Sequence, residues 1–132
     1  MSTPKINIWT IQLGQRRIAE KRGIKILDIT AKSGIRAFAP LFSDVMAYKN
    51  GIMSEESYTE VYKYRMEESR KRFPNTWRQL WSEENVAVAC YCRAGVFCHR
   101  HLFVPMMKKF LEENQCEVIL HDEILKSTGE SK

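Results

Sequence analysis

Apolar positions along this chain follow two rhythms that take turns. Lys5-Ile-Asn-Ile-Trp-Thr-Ile11 is β-branched and partly alternating, the pattern of a strand. Gly14 punctuates it, and Gln15 to Arg22 predicts a short helix with Ile18 and Ala19 as its apolar face. Gly23 suits the position just past a helix C-terminus. Ile24-Lys-Ile-Leu-Asp-Ile29 is nearly continuous in apolar character, as expected of a strand buried on both faces. Ala31 to Ala39 then reads as a loop.

Pro40 suits the first turn of a helix running toward Tyr48, closed by Asn50-Gly51. Ser54 followed by Glu55 and Glu56 predicts the next helix start, with acid at the positive end of the dipole. Tyr58, Tyr62, Met66 and Phe73 recur at helical spacing until Pro74 stops the run. Asn75 can cap a further helix carrying Trp77, Leu80 and Trp81. Val86 to Ala89 predicts a third strand, Leu102 to Leu111 a helix, and Glu117 to Leu120 a fourth strand. Strands separated by helices imply α/β architecture: a small, open, mainly parallel, Rossmann-like sheet of about four strands with helices on both faces. Residues 1–125 read as one domain and 126–132 as a polar tail.

Composition narrows the class. The chain has 132 residues, 44% hydrophobic and 28% charged, which is globular rather than disordered. No apolar run is long enough to span a bilayer, and the N-terminus lacks the apolar segment of a signal peptide. A cytoplasmic, reducing location is therefore expected, with no membrane partner. Four cysteines there suggest reduced thiols, metal ligands or core packing rather than a disulfide scaffold. The net charge of +5 is matched by the stretch from Gly14 to Arg36, where seven basic residues face only Glu20 and Asp28. Such a region attracts phosphate, nucleotide or nucleic acid, or is simply a solvated helix face.

The candidate chemistry is concentrated in one place. Cys90, Cys92, Cys98, His99 and His101 fall within twelve residues, directly after the third strand. Asp28-Ile29-Thr30 and Cys90-Tyr91-Cys92 would end two strands on one rim, where open α/β sheets bind ligands. At a helix start, backbone N–H groups and the helix dipole would favour a Cys98 thiolate, or would hold a ligand phosphate together with Arg100. The plainer alternative is a small buried cysteine. Pro105 bears on this choice. A helix beginning at Cys98 is kinked by it, whereas one beginning near His101 or Leu102 carries it harmlessly in the first turn.

Cys90 reads as core packing. Cys90, Cys92, Cys98 and either histidine could form a zinc site, but the spacing is not that of paired C-x-x-C ligands. No metal or cofactor is expected on this reading. Cys92-Arg93-Ala94-Gly95 imitates the opening of a cysteine-phosphatase loop, yet the position six beyond Cys92 is Cys98, not the arginine that loop requires. No Walker A or G-x-G-x-x-G motif is present.

The first strand, Gly23-Ile-Lys-Ile-Leu-Asp28, Val86-Ala-Val-Ala-Cys90, the Cys98-His99-Arg100 triplet and the strand from Val118 to His121 together resemble the domain-of-unknown-function 488 family. The Cys-Tyr-Cys…Phe-Cys-His-Arg-His-Leu version is similar to small phage-encoded members. The resemblance implies a fold and a site at Asp28, Cys98, His99 and Arg100, but not a reaction. Thr30 stands where the family tends to carry an arginine, for which Lys32 or Arg36 could substitute from the loop, and Cys92 stands where it tends to carry an acid.

The resulting expectation is a cytosolic protein that binds a nucleotide-like or other phosphate-bearing ligand at the strand ends, with an enzyme of nucleotide or nucleic-acid metabolism as the further option. Cys98 would be a nucleophile or ligand contact, His99 a proton donor or acceptor, and Asp28 a base or a hydroxyl-orienting group, with a loop cap as Asp28's alternative. Arg100, Arg93, Thr30, Cys92 and Gly95 would touch the ligand. A phage–host interaction protein, using the exposed side of the Tyr58 to Phe73 helix, and a zinc-stabilised module are the rival classes.

Overall fold

The computed structural model describes residues 3–92 and 97–126. Four strands, β1 (Lys5–Gln12), β2 (Lys25–Asp28), β3 (Asn85–Cys90) and β4 (Glu117–Leu120), form one all-parallel sheet in the order β2-β3-β1-β4. The helices are α1 (Arg16–Lys21), α2 (Phe42–Lys49), α3 (Glu55–Arg72), α4 (Pro74–Arg78) and α5 (His99–Glu113). Short 3-10 turns precede α1 and follow α4.

Strand period two divides the core. Ile6, Ile8, Leu27, Val86 and Val88 face α3, α4 and α5 in the larger cluster, around Trp77, Tyr62, Phe103 and Met107. Ile11, Ala87 and Ala89 face the other way, against Leu13, Ala19 and Ile24 at α1. The β1-to-β2 crossover passes over β3 on the α1 face. The β3-to-β4 crossover passes over β1 in the opposite direction on the α5 face. Opposite direction on the opposite face preserves one hand, as twisted parallel sheets require.

Local chemistry explains most element ends. Gly23, at φ 74°, closes α1: its N–H bonds Glu20 and the next N–H, of Ile24, bonds Ala19. Ser54 caps α3 by accepting from the Ser57 N–H at 3.1 Å. Four expectations shift. Helix α2 begins at Phe42 with Leu41 as its cap, so Pro40 lies outside it. Pro74 ends α3 by opening α4, where its missing N–H costs nothing, and Phe73 rather than Asn75 is the cap. Trp81, expected beside Trp77 in the core, is exposed. Helix α5 starts at His99 with Cys98 as its cap, which leaves Pro105 inside the helix on its exposed side.

Candidate functional site

Parallel pairing brings the carboxyl ends of β2 and β3 side by side, with Asp28 opposite Ala89. Beyond them a cleft of about 610 Å³ opens between these strand ends, α2, Tyr58 of α3 and the start of α5. Phe42, Tyr48, Tyr58 and Phe97 supply aromatic walls, and the exposed Lys32 and Lys49 stand at the mouth. Cys90, Cys92, Cys98 and His99 line its inner end. Tyr48, Tyr58 and Phe97 pack ring against ring, with centroids 5.3–5.9 Å apart. Burial first, then the neighbouring Cys92 and Asp44, keeps the Tyr58 hydroxyl protonated far above the ordinary phenol range.

His99 is buried at the first position of α5. Its Nε2 lies 2.7 Å from the Ile29 carbonyl, an acceptor, so Nε2 carries the proton and Nδ1 keeps its lone pair. Nδ1 lies 3.7 Å from Cys98 Sγ. Burial lowers the pKa of His99 from 6.5 to about 4, with the Arg100 charge adding to this against the opposing Ile29 bond and Asp28. A neutral imidazole is thus held with its unprotonated Nδ1 toward the Cys98 sulfur.

Arg100, expected as an anion contact, is fully buried and faces inward. Nε and Nη2 donate to the two carboxylate oxygens of Glu123 at 3.2 and 2.7 Å, a bidentate fork. Nη1 donates to Cys90 Sγ and to the Cys92 carbonyl, both at 2.8 Å. Burial raises the Glu123 pKa, but the bonds from Arg100 and Thr10 and the nearby cations outweigh it and hold the carboxyl below its usual range. Glu123 was not legible as a site residue. Its only sequence signal is an acid beside the apolar Ile124; the fold sets it at the site because Ile124 bridges Ile11 in parallel, extending the chain alongside β1.

Asp28 acts as the stitch of the loop that follows β2. One carboxylate oxygen accepts from the Thr30 N–H at 2.9 Å and the other from the Ser33 hydroxyl at 2.8 Å. Thr30 is buried and its hydroxyl meets Ser33, while Ser33 reaches Tyr91 across the rim. The arrangement matches the loop-cap alternative for Asp28. Gly34 completes the wrap: a Cβ there would run into the backbone of Thr30 and Asp28. Arg93 and Gly95, expected as ligand contacts, lie outside the described residues.

The cysteines differ most from expectation. Cys90 is buried in the core as expected, but its sulfur is joined to that of Cys98 as a disulfide, where reduced thiols were expected. The two Cα atoms stand 7.7 Å apart. Joined in this way, Cys98 carries no thiolate, so any nucleophilic role belongs to the reduced pair. Cys92, half-buried, completes a trio whose sulfurs all lie within 4.8 Å of one another. Cys98 and Cys92 approach because the end of β3 and the cap of α5 lie side by side. Cys116 stands apart at the entry to β4.

No helix among the described residues is long and apolar enough to cross a membrane. No curated protein and no solved structure matches the chain. A family model described as the active DUF488-N3 subclade matches residues 3–115, which takes in β1 through α5 and stops short of β4 and Glu123. With that match running through both strand ends and the Cys98-His99-Arg100 turn, the chain belongs to the DUF488 family.

Proposed function

We propose that the protein binds a nucleotide-like ligand, a planar ring bearing phosphate, in the strand-end cleft. The observation that carries this reading is the pairing of aromatic walls with lysines at the mouth. Phe42, Tyr48, Tyr58 and Phe97 suit the face of a base, and Lys32 and Lys49 suit its phosphate. Lys32 Nζ already lies 5.1 Å from the Phe42 ring centre, so cation and ring belong to one wall. Position adds support, since ligands of open α/β sheets sit outside the carboxyl ends of the strands.

A second reading, a short single-stranded nucleic acid, draws on the adjoining cleft of about 670 Å³. That cleft shares Ala31, Lys32 and Phe42 with the first and adds Arg36, Arg65, Arg72, Tyr64 and Phe73, opposed by Asp44 and Glu68. Cations interleaved with rings are the make-up of a strand-binding groove.

Thermal melts against mononucleotides, sugar phosphates and short oligonucleotides test both readings. A ligand at about 100 times its Kd adds roughly 2.7 kcal/mol to the folded state. The shift is expected to disappear in the Lys32→Ala, Lys49→Ala double variant, whose altered positions are solvent-exposed. A response to oligonucleotides alone selects the second reading. A full panel without any shift sinks both.

A further inference from the structure

We propose that Cys90, Cys92 and Cys98, in their reduced form, make up a zinc-binding site that opens onto the strand-end cleft. The three sulfurs lie within 4.8 Å of one another. Cys90 and Cys98 are almost fully buried, and all three line the cleft. Three thiolates gathered at one point repel one another unless a cation stands between them, and soft sulfur ligands select zinc over magnesium or calcium.

The backbone spacing carries the argument further. A direct disulfide spans Cα separations of roughly 4.4–6.8 Å. Cys90 and Cys98 are held 7.7 Å apart by the end of β3 and the cap of α5. With Zn–S bonds of about 2.3 Å, two thiolates of a tetrahedral site sit about 3.8 Å apart. An interposed ion therefore suits this separation better than a direct bond, and the disulfide and the metal are alternative states of the same sulfurs.

The surroundings fit as well. Arg100 donates to Cys90 Sγ and to the Cys92 carbonyl, fixing two of the three ligand residues from outside the shell. Cys98 caps a fifteen-residue helix, where the dipole favours a thiolate. His99 Nδ1 lies 3.7 Å from Cys98 Sγ, but among the described residues the mutually close ligand atoms are the three sulfurs, so His99 is left out of the ligand set. Three protein ligands leave the fourth position to water or to a cleft ligand, the coordination of an open rather than a closed zinc site.

Full-length protein, reduced and purified without chelator, tests this by elemental analysis and by cobalt(II) titration. One equivalent of zinc is expected. Cobalt should give sulfur-to-metal charge-transfer absorption of three-thiolate intensity, which zinc then bleaches. Cys92→Ser changes a half-buried residue and spares the core. It should weaken zinc binding by more than about tenfold and reduce the cobalt band by a third. Cys116→Ser should leave both unchanged. Absence of stoichiometric metal in the reduced protein overturns the proposal, as does a Cys92→Ser variant that binds cobalt like the wild type. The readout is metal uptake, so it is independent of the nucleotide-binding test.

Discussion

Arg100 shows what burial does to a charged side chain. Its guanidinium is wholly enclosed, and the partner Glu123 is only slightly exposed. Removing one member of such a pair leaves the other stranded, at a cost of about 3–5 kcal/mol. Arg100→Ala should lose stability on that scale in urea denaturation, and the Arg100→Met, Glu123→Leu double variant should recover part of it. A loss below about 1 kcal/mol for Arg100→Ala would contradict the buried pairing. The same reasoning makes Arg100 a poor probe of ligand binding, for which Lys32 and Lys49 are the cleaner choices. His99 governs acid stability. Its folded pKa, about 4, lies below the ordinary 6.5, so the unfolded chain binds the extra proton first. Stability is therefore intact above pH 6.5 and falls as pH drops toward 4, by about 3 kcal/mol from this residue alone. His101, also lowered by burial, contributes in the same direction, and Glu123 adds its loss at lower pH as its depressed carboxyl titrates. His99→Gln should flatten the slope between pH 6.5 and 4 in chemical denaturation series. An unchanged slope would remove His99 as the cause.

Helix α5 carries the site and also its main local irregularity. Pro105 is the seventh residue of the helix, has no N–H for the His101 carbonyl, and faces solvent. Because it is exposed, its replacement changes backbone chemistry rather than core packing. Pro105→Ala should restore the missing bond and stabilise the protein by about 1 kcal/mol or more, read as a raised Tm. A lowered Tm would mean that Pro105 itself is needed to seat His99 and Arg100. The loop between β2 and α2 is the site's other support. Asp28, Thr30, Ser33 and the close approach at Gly34 fold it back onto the end of β2, and this positions Lys32 at the cleft.

At the scale of the molecule, both faces of one sheet are covered, and the two core clusters are built on the same strands. The α1 layer rests on the backs of the strands whose fronts hold α3, α4 and α5. Unfolding should therefore be one cooperative transition in reduced, metal-free protein, with an enthalpy near Tm of roughly 90 kcal/mol. Far-ultraviolet circular dichroism and tryptophan fluorescence check this, since Trp77 reports one face and Trp9 the other. Separate midpoints for the two signals would show that the layers melt independently.

What the sequence determined by itself is the set of elements and the face each one buries. Strand alternation in β1, the continuous apolar runs of β2 and β3, the Gly23 stop and the Ser54 cap are local physics, readable within a few residues. The rim where Asp28 and Cys90 end is legible for the same reason, because strands alternating with helices leave few parallel arrangements. How distant side chains divide their bonds is settled by folding alone. That Arg100 faces Glu123, that Asp28 bonds Thr30 and Ser33 of its own loop, and that Cys92 meets Cys90 and Cys98 all depend on partners brought together by folding. A buried charge or polar group takes whichever partner the fold places within reach, and the reach of a side chain is a property of space, not of sequence separation.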